Sequence, residues 1–283
     1  MKVLVNLLKF IFIMILTVAI IGLGLFAIAF STVLNKDYVV QKLEETDFYS
    51  GTYKLVESNF ENYIYQSGLD EEVLKEICSQ DKVKKDINIM LNNIYSGTNQ
   101  SIDTTEISEK LNANIDKSGI KNKQNESAIN EFVKHICQEY TDTLVHSKYE
   151  TEINKMYNKI NTLLNKVYNT LLIVFFIDLI LIIIINKKKI SKDIQALGIA
   201  LMSASMFQIV ACQIITSNVD VKNIKIFNDV FSNCLVTIIQ DVLNKINSLA
   251  LGTCIFAVII LGIYVSIKVN KKTKDEPEQN EAE

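Results

Sequence analysis

Arginine and tryptophan do not occur in this 283-residue chain, and its single proline is Pro277. Without arginine, the planar guanidinium fork that grips phosphates and carboxylates bidentately is missing. The net charge of −3 supplies no basic field either, so a nucleic-acid partner is not expected. The scarcity of proline leaves helices uninterrupted up to residue 277, and no stretch alternates apolar and polar residues as a half-buried strand does. No phosphate-binding glycine loop, nucleophile elbow or HExxH helix occurs. A non-enzymatic protein with no cofactor is therefore expected. Lysine as the only strong base, with abundant isoleucine and asparagine, is the usage of a low-GC bacterium.

What is present is a mixture: 49% hydrophobic residues beside 22% charged ones, which suggests apolar segments joined to a soluble part. Residues 10–30, 168–186, 194–216 and 248–267 form four runs long enough for a bilayer, which needs about 20 residues. Lysines orient them. Lys2 and Lys9 precede the first run, Lys187, Lys188, Lys189 and Lys192 fill the link 187–193, and Lys268, Lys271, Lys272 and Lys274 follow the fourth. The positive-inside rule places residues 1–9, the link and the tail 268–283 in the cytoplasm of a plasma-membrane protein, with 31–167 and 217–247 outside. Ala27-Ile28-Ala29 has the form of a processing site, but an apolar run of about 20 residues exceeds the roughly 7–15 of a signal core. The first run is read as an anchor. The acidic end of the tail carries no apolar residues to bury and is expected to be disordered.

The outer segment 31–167 has four glycines, all in Ser-Gly pairs at 50–51, 67–68, 96–97 and 118–119, each read as a helix stop. Val83, Ile87, Met90, Leu91 and Ile94 make one helical stripe, and Ile107, Leu111 and Ile115 another. Asp103-Thr104-Thr105-Glu106 has the spacing of a capping box, and Leu69 and Leu74 flank Asp70 as a hydrophobic staple. A helix is predicted from about Glu126, and a second from near Lys148 continuing into the second span. In 217–247, Ile224, Phe227, Phe231, Leu235, Ile238, Val242 and Ile246 predict an amphipathic helix packed on the larger outer segment. The expected fold class is all-α: a four-transmembrane-helix membrane protein with an all-helical extracytoplasmic domain between the first two spans.

The second span reads LLIVFFIDLILIIII, with Asp178 between seven apolar residues on either side. A central aspartate costs about 2.5–3.5 kcal/mol on insertion scales, while each neighbouring Ile, Leu, Val or Phe returns about 0.3–0.6 kcal/mol. The span therefore inserts, and its carboxyl needs a partner. No lysine lies within a span. Gln208 and Ser205 of the third span lie near the same depth and are the expected intramembrane polar contacts of a neutral Asp178. Proton or cation handling is the competing role.

His135 and His146 share one helix face with Glu131, Glu139, Asp142 and Glu150. Asp142 and His146 have metal-ligand spacing, but two ligands do not make a site, and the face reads equally as the wet side of an amphipathic helix; no metal is assigned. Of five cysteines, Cys212 and Cys254 fall in spans, while Cys78, Cys137 and Cys234 lie outside, where Cys78 and Cys137 are either a disulfide or buried thiols. The order of spans and loops resembles FtsX-type membrane subunits and claudin-type four-span proteins. The short link Asn186–Asp193 and the missing tryptophan part the chain from both, and no residue roles are carried over. The expected function is an interaction, sensing or accessory subunit in the lipid bilayer, binding a protein partner or a second copy of itself through the outer domain. The alternative is a small transporter or channel subunit using Asp178.

Overall fold

A computed structural model of the chain describes residues 2–67, 69–120, 125–145, 150–187, 189–226 and 228–275. Its helices are α1 (Lys2–Ser31), α2 (Lys36–Glu45), α3 (Phe48–Ser67), α4 (Gln80–Ser96), α5 (Thr105–Lys117), α6 (Glu126–Val145), α7 (Glu150–Ile185), α8 (Ile190–Asn218) and α9 (Asp229–Asp275). Single 3₁₀ turns occupy Glu71–Leu74 and Val221–Asn223, and among the described residues there is no strand. The chain divides into two compact units. One contains Met1–Thr32, Leu163–Ile224 and Ile239–Glu283, and the other Val33–Thr162 and Lys225–Ile238.

In the first, apolar unit, α1, α7, α8 and α9 are each long and apolar enough to cross a membrane, with mean hydropathies of 2.9, 2.6, 1.8 and 2.4 in their apolar stretches. Ile173, Phe176, Ile177 and Ile180 on α7, and Phe207, Val210 and Ile214 on α8, stand bare on the outside. A surface that apolar suits lipid, not water, and supports a multi-pass membrane protein. The helices meet through small residues, as lipid-embedded helices do. Thr17 Oγ1 bonds Ile13 O at 2.8 Å and reaches Ala200 O at 3.5 Å. A Cβ on Gly24 would lie 3.5 Å from Gln208 Nε2, so α1 and α8 run parallel. Gly22 lies against Leu171, and Leu16 clusters with Ile182, which makes α7 antiparallel to α1. Gly198 lies against Leu261 and Met202 Sδ lies 3.8 Å from Cys254 Sγ, which makes α9 antiparallel to α8. The start of α1, the link between α7 and α8, and the end of α9 therefore share one end of this unit.

The second, helical unit closes around α3, whose Val56, Phe60 and Ile64 are buried. The stripes on α4 and α5 turn inward as predicted: Val83, Ile87 and Met90, and Ile107, Leu111 and Ile115, all enter the core, with Leu91 and Ile94 half-buried. Helix α6 adds Ile129, Val133, Ile136 and Tyr140. Asn35 caps α2 by accepting from the Asp37 and Tyr38 amides, and Ser79 caps α4 by accepting from the Lys82 amide. Gly97 (φ +67) ends α4 and Gly119 (φ +69) follows α5, as the Ser-Gly pairs predict.

Several expectations are corrected. Gly51 ends no helix; it sits inside α3, where a Cβ would come within 2.8 Å of both γ carbons of Val230. It is a close-approach glycine. The Ser67-Gly68 stop falls on Gly68, outside the described residues. Asp103 Oδ1 accepts from the Thr105 amide at 2.9 Å in a local turn, and Glu106 pairs with Lys110, so no capping box forms. Leu69 and Leu74 flank Asp70 and pack on the core, but over one 3₁₀ turn only. The later part of the expected loop 217–247 and the fourth apolar run are one continuous helix, α9, which starts at Asp229 and meets no glycine or proline before Gly252. Helix α9 also continues through Lys268 to Asp275, into the tail expected to be disordered. Its first turns contribute Val230, Cys234 and Ile238 to the helical unit, while Phe231 lies at the edge against Phe48. The packed face is thus rotated from the predicted stripe.

Candidate functional site

Asp178 is 2% exposed on α7. Phe175 and Ile182, three residues before and four after it, share its face and pack with Leu16, Ala196 and Ala200. Its Oδ2 has no hydrogen-bond partner among the described residues. No hydrogen bond there joins Asp178 to Gln208 or Ser205. Ser205 Oγ instead donates to Met202 O of its own helix at 2.9 Å, and buried Gln208 lies against Gly24. All three sequence-predicted polar residues are buried. Burial leaves Asp178 Oδ2 without a compensating donor among the described residues.

A second polar group lies where α7 turns into α8. Lys187 (φ +55) closes the link tightly enough for Asn186 Nδ2 to donate to Asp193 Oδ1 at 2.8 Å. Asn186 is 4% exposed, and its Oδ1 has no partner among the described residues. It lines a cavity of about 250 Å³ together with Asn6, Lys9, Lys192 and Gln195. Sequence reasoning assigned Asn186 no role, although a polar amide directly after fourteen apolar residues and Asp178 is itself a signal.

In the helical unit the polar centre is Lys82, Asp86 and Tyr140. Lys82 Nζ bonds Asp86 Oδ2 at 3.0 Å and Asp103 O at 2.7 Å, and sits 5.6 Å from the Tyr140 ring centroid. The Tyr140 hydroxyl donates to the same Asp86 oxygen at 2.6 Å. Burial, reinforced by that bond, pushes the Tyr140 hydroxyl well above the ordinary phenol range. The cluster links α4, α6 and the segment before α5. Sequence reasoning missed it, though Asp86 interrupts an apolar stripe, three residues after Val83 and four before Met90. Asn93, on the same stripe, is satisfied too: it donates to Gln100 O and accepts from Thr98 Oγ1 and the Gln100 amide.

The polar face of α6 is used for packing. Asn59 Nδ2 donates to Glu139 Oε1 at 3.1 Å and to Thr143 Oγ1 at 2.9 Å, which ties α3 to α6. His135 is exposed, and His146, half of the conceivable metal pair, lies outside the described residues. Among the described residues no three His, Cys, Asp or Glu side chains group as metal ligands. Cys78 and Cys137 are free thiols turned to different carbonyls, those of Ser79 and Thr104. Burial pushes the Cys78 thiol up to about 11 and raises Cys137 and Cys234 as well, so none has the thiolate character of a nucleophile at neutral pH. No family model matches the chain, and no curated protein or solved structure matches it.

Proposed function

We propose that the chain is a non-enzymatic plasma-membrane protein of a bacterium, which presents its helical unit on the extracytoplasmic side as a binding module for a protein partner or a second copy of itself. The observation that carries this reading is a folded unit with its own core, carried by four helices fit for a bilayer. The lysines at one end of the apolar unit favour a cytoplasmic position for both ends of the chain and for the 187–193 link. The buried polar groups of the helical unit are spent on internal bonds, which argues for a structural core and leaves recognition to the surface. The net charge of −3 speaks against nucleic acid. Single cysteines at exposed Glu109 and Lys268 test the orientation: an impermeant maleimide added to intact cells labels the first and spares the second. Crosslinking in cells followed by purification then recovers one specific partner or a homo-oligomer. Recovery of the monomer alone would refute the interaction role.

A second reading has one specific observation behind it, the unpartnered Oδ2 of Asp178. As a site for a proton or a monovalent cation, it makes the chain a transporter or channel subunit. Asp178→Asn keeps the shape and removes the charge. Flux in proteoliposomes that is present in the parent chain and lost in this variant supports that role; equal flux in both, or none in either, removes it.

A further inference from the structure

At the lysine end of the apolar unit, lysines outnumber carboxylates among the described residues around one cavity. The cavity between α1, the end of α7 and the start of α8 is lined by Lys9 and Lys192. Lys9 lies within electrostatic range of Lys189 and Lys192 and of one carboxylate, Asp193. That carboxylate already accepts from Asn186 Nδ2. Lys9 thus has two ammonium groups and one already engaged carboxylate within its electrostatic range. Asn186, 4% exposed in the cavity wall, adds an acceptor, Oδ1, that no described residue satisfies. The rest of the wall includes Phe12, Ile182 and Ile199, and Ile199 belongs to the bare apolar surface of α8.

We propose that this cavity binds the headgroup of an anionic phospholipid, specifically a phosphodiester whose headgroup carries a glycerol hydroxyl. Phosphodiester oxygens accept from Lys9 and Lys192, which act as point charges where no arginine fork exists. The headgroup hydroxyl donates to Asn186 Oδ1 and satisfies it. The glycerol backbone and first methylenes lie along Phe12, Ile182 and Ile199. Free phosphate would neutralise the lysines and offer a P–OH to the amide oxygen, but would leave the apolar wall uncovered. A choline headgroup would bring a further cation among three lysines and no hydroxyl. The inference rests on reading α1, α7 and α8 as membrane-spanning, not on what the helical unit binds; fractionation with membranes scores that reading separately.

The test uses the full chain in detergent, with retained lipid read by native mass spectrometry and stabilisation read by thermal melting. Phosphatidylglycerol, phosphatidic acid, phosphatidylcholine, glycerol 3-phosphate and inorganic phosphate are each titrated. Phosphatidylglycerol is expected to bind tightest, phosphatidic acid more weakly because it lacks the headgroup glycerol whose hydroxyl reaches Asn186 beyond the phosphate, and the other three not measurably. Lys9→Gln and Lys192→Gln each weaken phosphatidylglycerol binding about fivefold, and the pair about 25-fold, whereas Lys268→Gln, at the same end but outside the cavity, leaves it unchanged. Asn186→Leu abolishes the preference over phosphatidic acid. Equal binding of phosphatidylcholine, or equal loss in Lys268→Gln, would mean diffuse surface attraction and overturn the site. Glycerol 3-phosphate or inorganic phosphate binding as tightly as the lipid would overturn the lipid assignment. The lipid series on the unmodified chain decides the matter even where a variant fails to fold.

Discussion

Removing the hydroxyl of Tyr140 tests how much the Lys82–Asp86–Tyr140 cluster holds the helical unit together. In Tyr140→Phe the ring remains, and with it the packing in the core and the position beneath Lys82 Nζ. What disappears is one hydrogen bond of 2.6 Å to a carboxylate that is 2% exposed. A hydrogen bond to a charged group contributes about 1.5–3 kcal/mol. Asp86 keeps Lys82 at 3.0 Å, so it is not stranded and the loss stays within that range. At about 1.36 kcal/mol per factor of ten, the opened population rises roughly 10- to 150-fold. Cys78 and Cys234, both buried in this core, report the opening. The full chain in detergent micelles is pulsed with a maleimide at a fixed sub-denaturing urea concentration, and labelling is resolved by cysteine. Where reclosing outpaces labelling, the rate follows the open population. Cys78 should label faster by the factor above, with Cys212 in the apolar unit unchanged. Asp86→Ala should exceed it, because it removes the bonds to Tyr140 and Lys82 together and leaves the part-buried Lys82 ammonium with only the Asp103 carbonyl. A Tyr140→Phe rate within twofold of the parent, or an Asp86→Ala rate below that of Tyr140→Phe, would refute the reasoning.

Alkaline pH acts on the same unit. The folded state holds the Tyr140 and Cys78 protons more tightly than the unfolded chain, so their contribution is complete below the unfolded values of about 10 for tyrosine and 8.5 for cysteine and is lost as pH rises. Urea midpoints from circular dichroism should therefore fall from pH 9 upward, and a constant midpoint to pH 10.5 would contradict this. Gly51→Ala drives a methyl into β-branched Val230 and should cost about 1–3 kcal/mol, read as faster Cys234 labelling, with Val230→Ala restoring the rate. Gly198→Ala meets Leu261 Cδ2 at 2.7 Å and Cγ at 2.8 Å, so melting in detergent should fall, and a paired Leu261→Ala should recover part of the loss.

Period and composition made the helices readable, and local glycine chemistry marked some of their ends. Ile107, Leu111 and Ile115 form an inward stripe because three- and four-residue spacing leaves them no other face. Ser96-Gly97 and Ser50-Gly51 carry the same local signal, yet only the first ends a helix. The second is explained by Val230, distant in sequence and invisible to any local rule. The expected contact between Asp178 and Gln208 rests on depth alone. Depth says nothing about which way a side chain faces around its helix, and Gln208 faces Gly24. Asp86 hid because it was surrounded by the apolar residues that define the α4 stripe.

Closure of the helical unit by Lys225–Ile238 has a consequence for biosynthesis. The α3–α6 assembly lacks Val230, Cys234 and Ile238 until the ribosome has made α7, the link and α8. About 90 residues separate the end of α6 from Cys234, which at 5–20 residues per second is roughly 5–20 s of elongation. Throughout that interval Gly51 and Phe48 face an empty slot, so the nascent chain carries an unfinished apolar groove while its middle helices are being inserted. Completion of this fold is thus timed by membrane insertion, and a chain stalled or truncated within α8 would display that groove to chaperones and proteases.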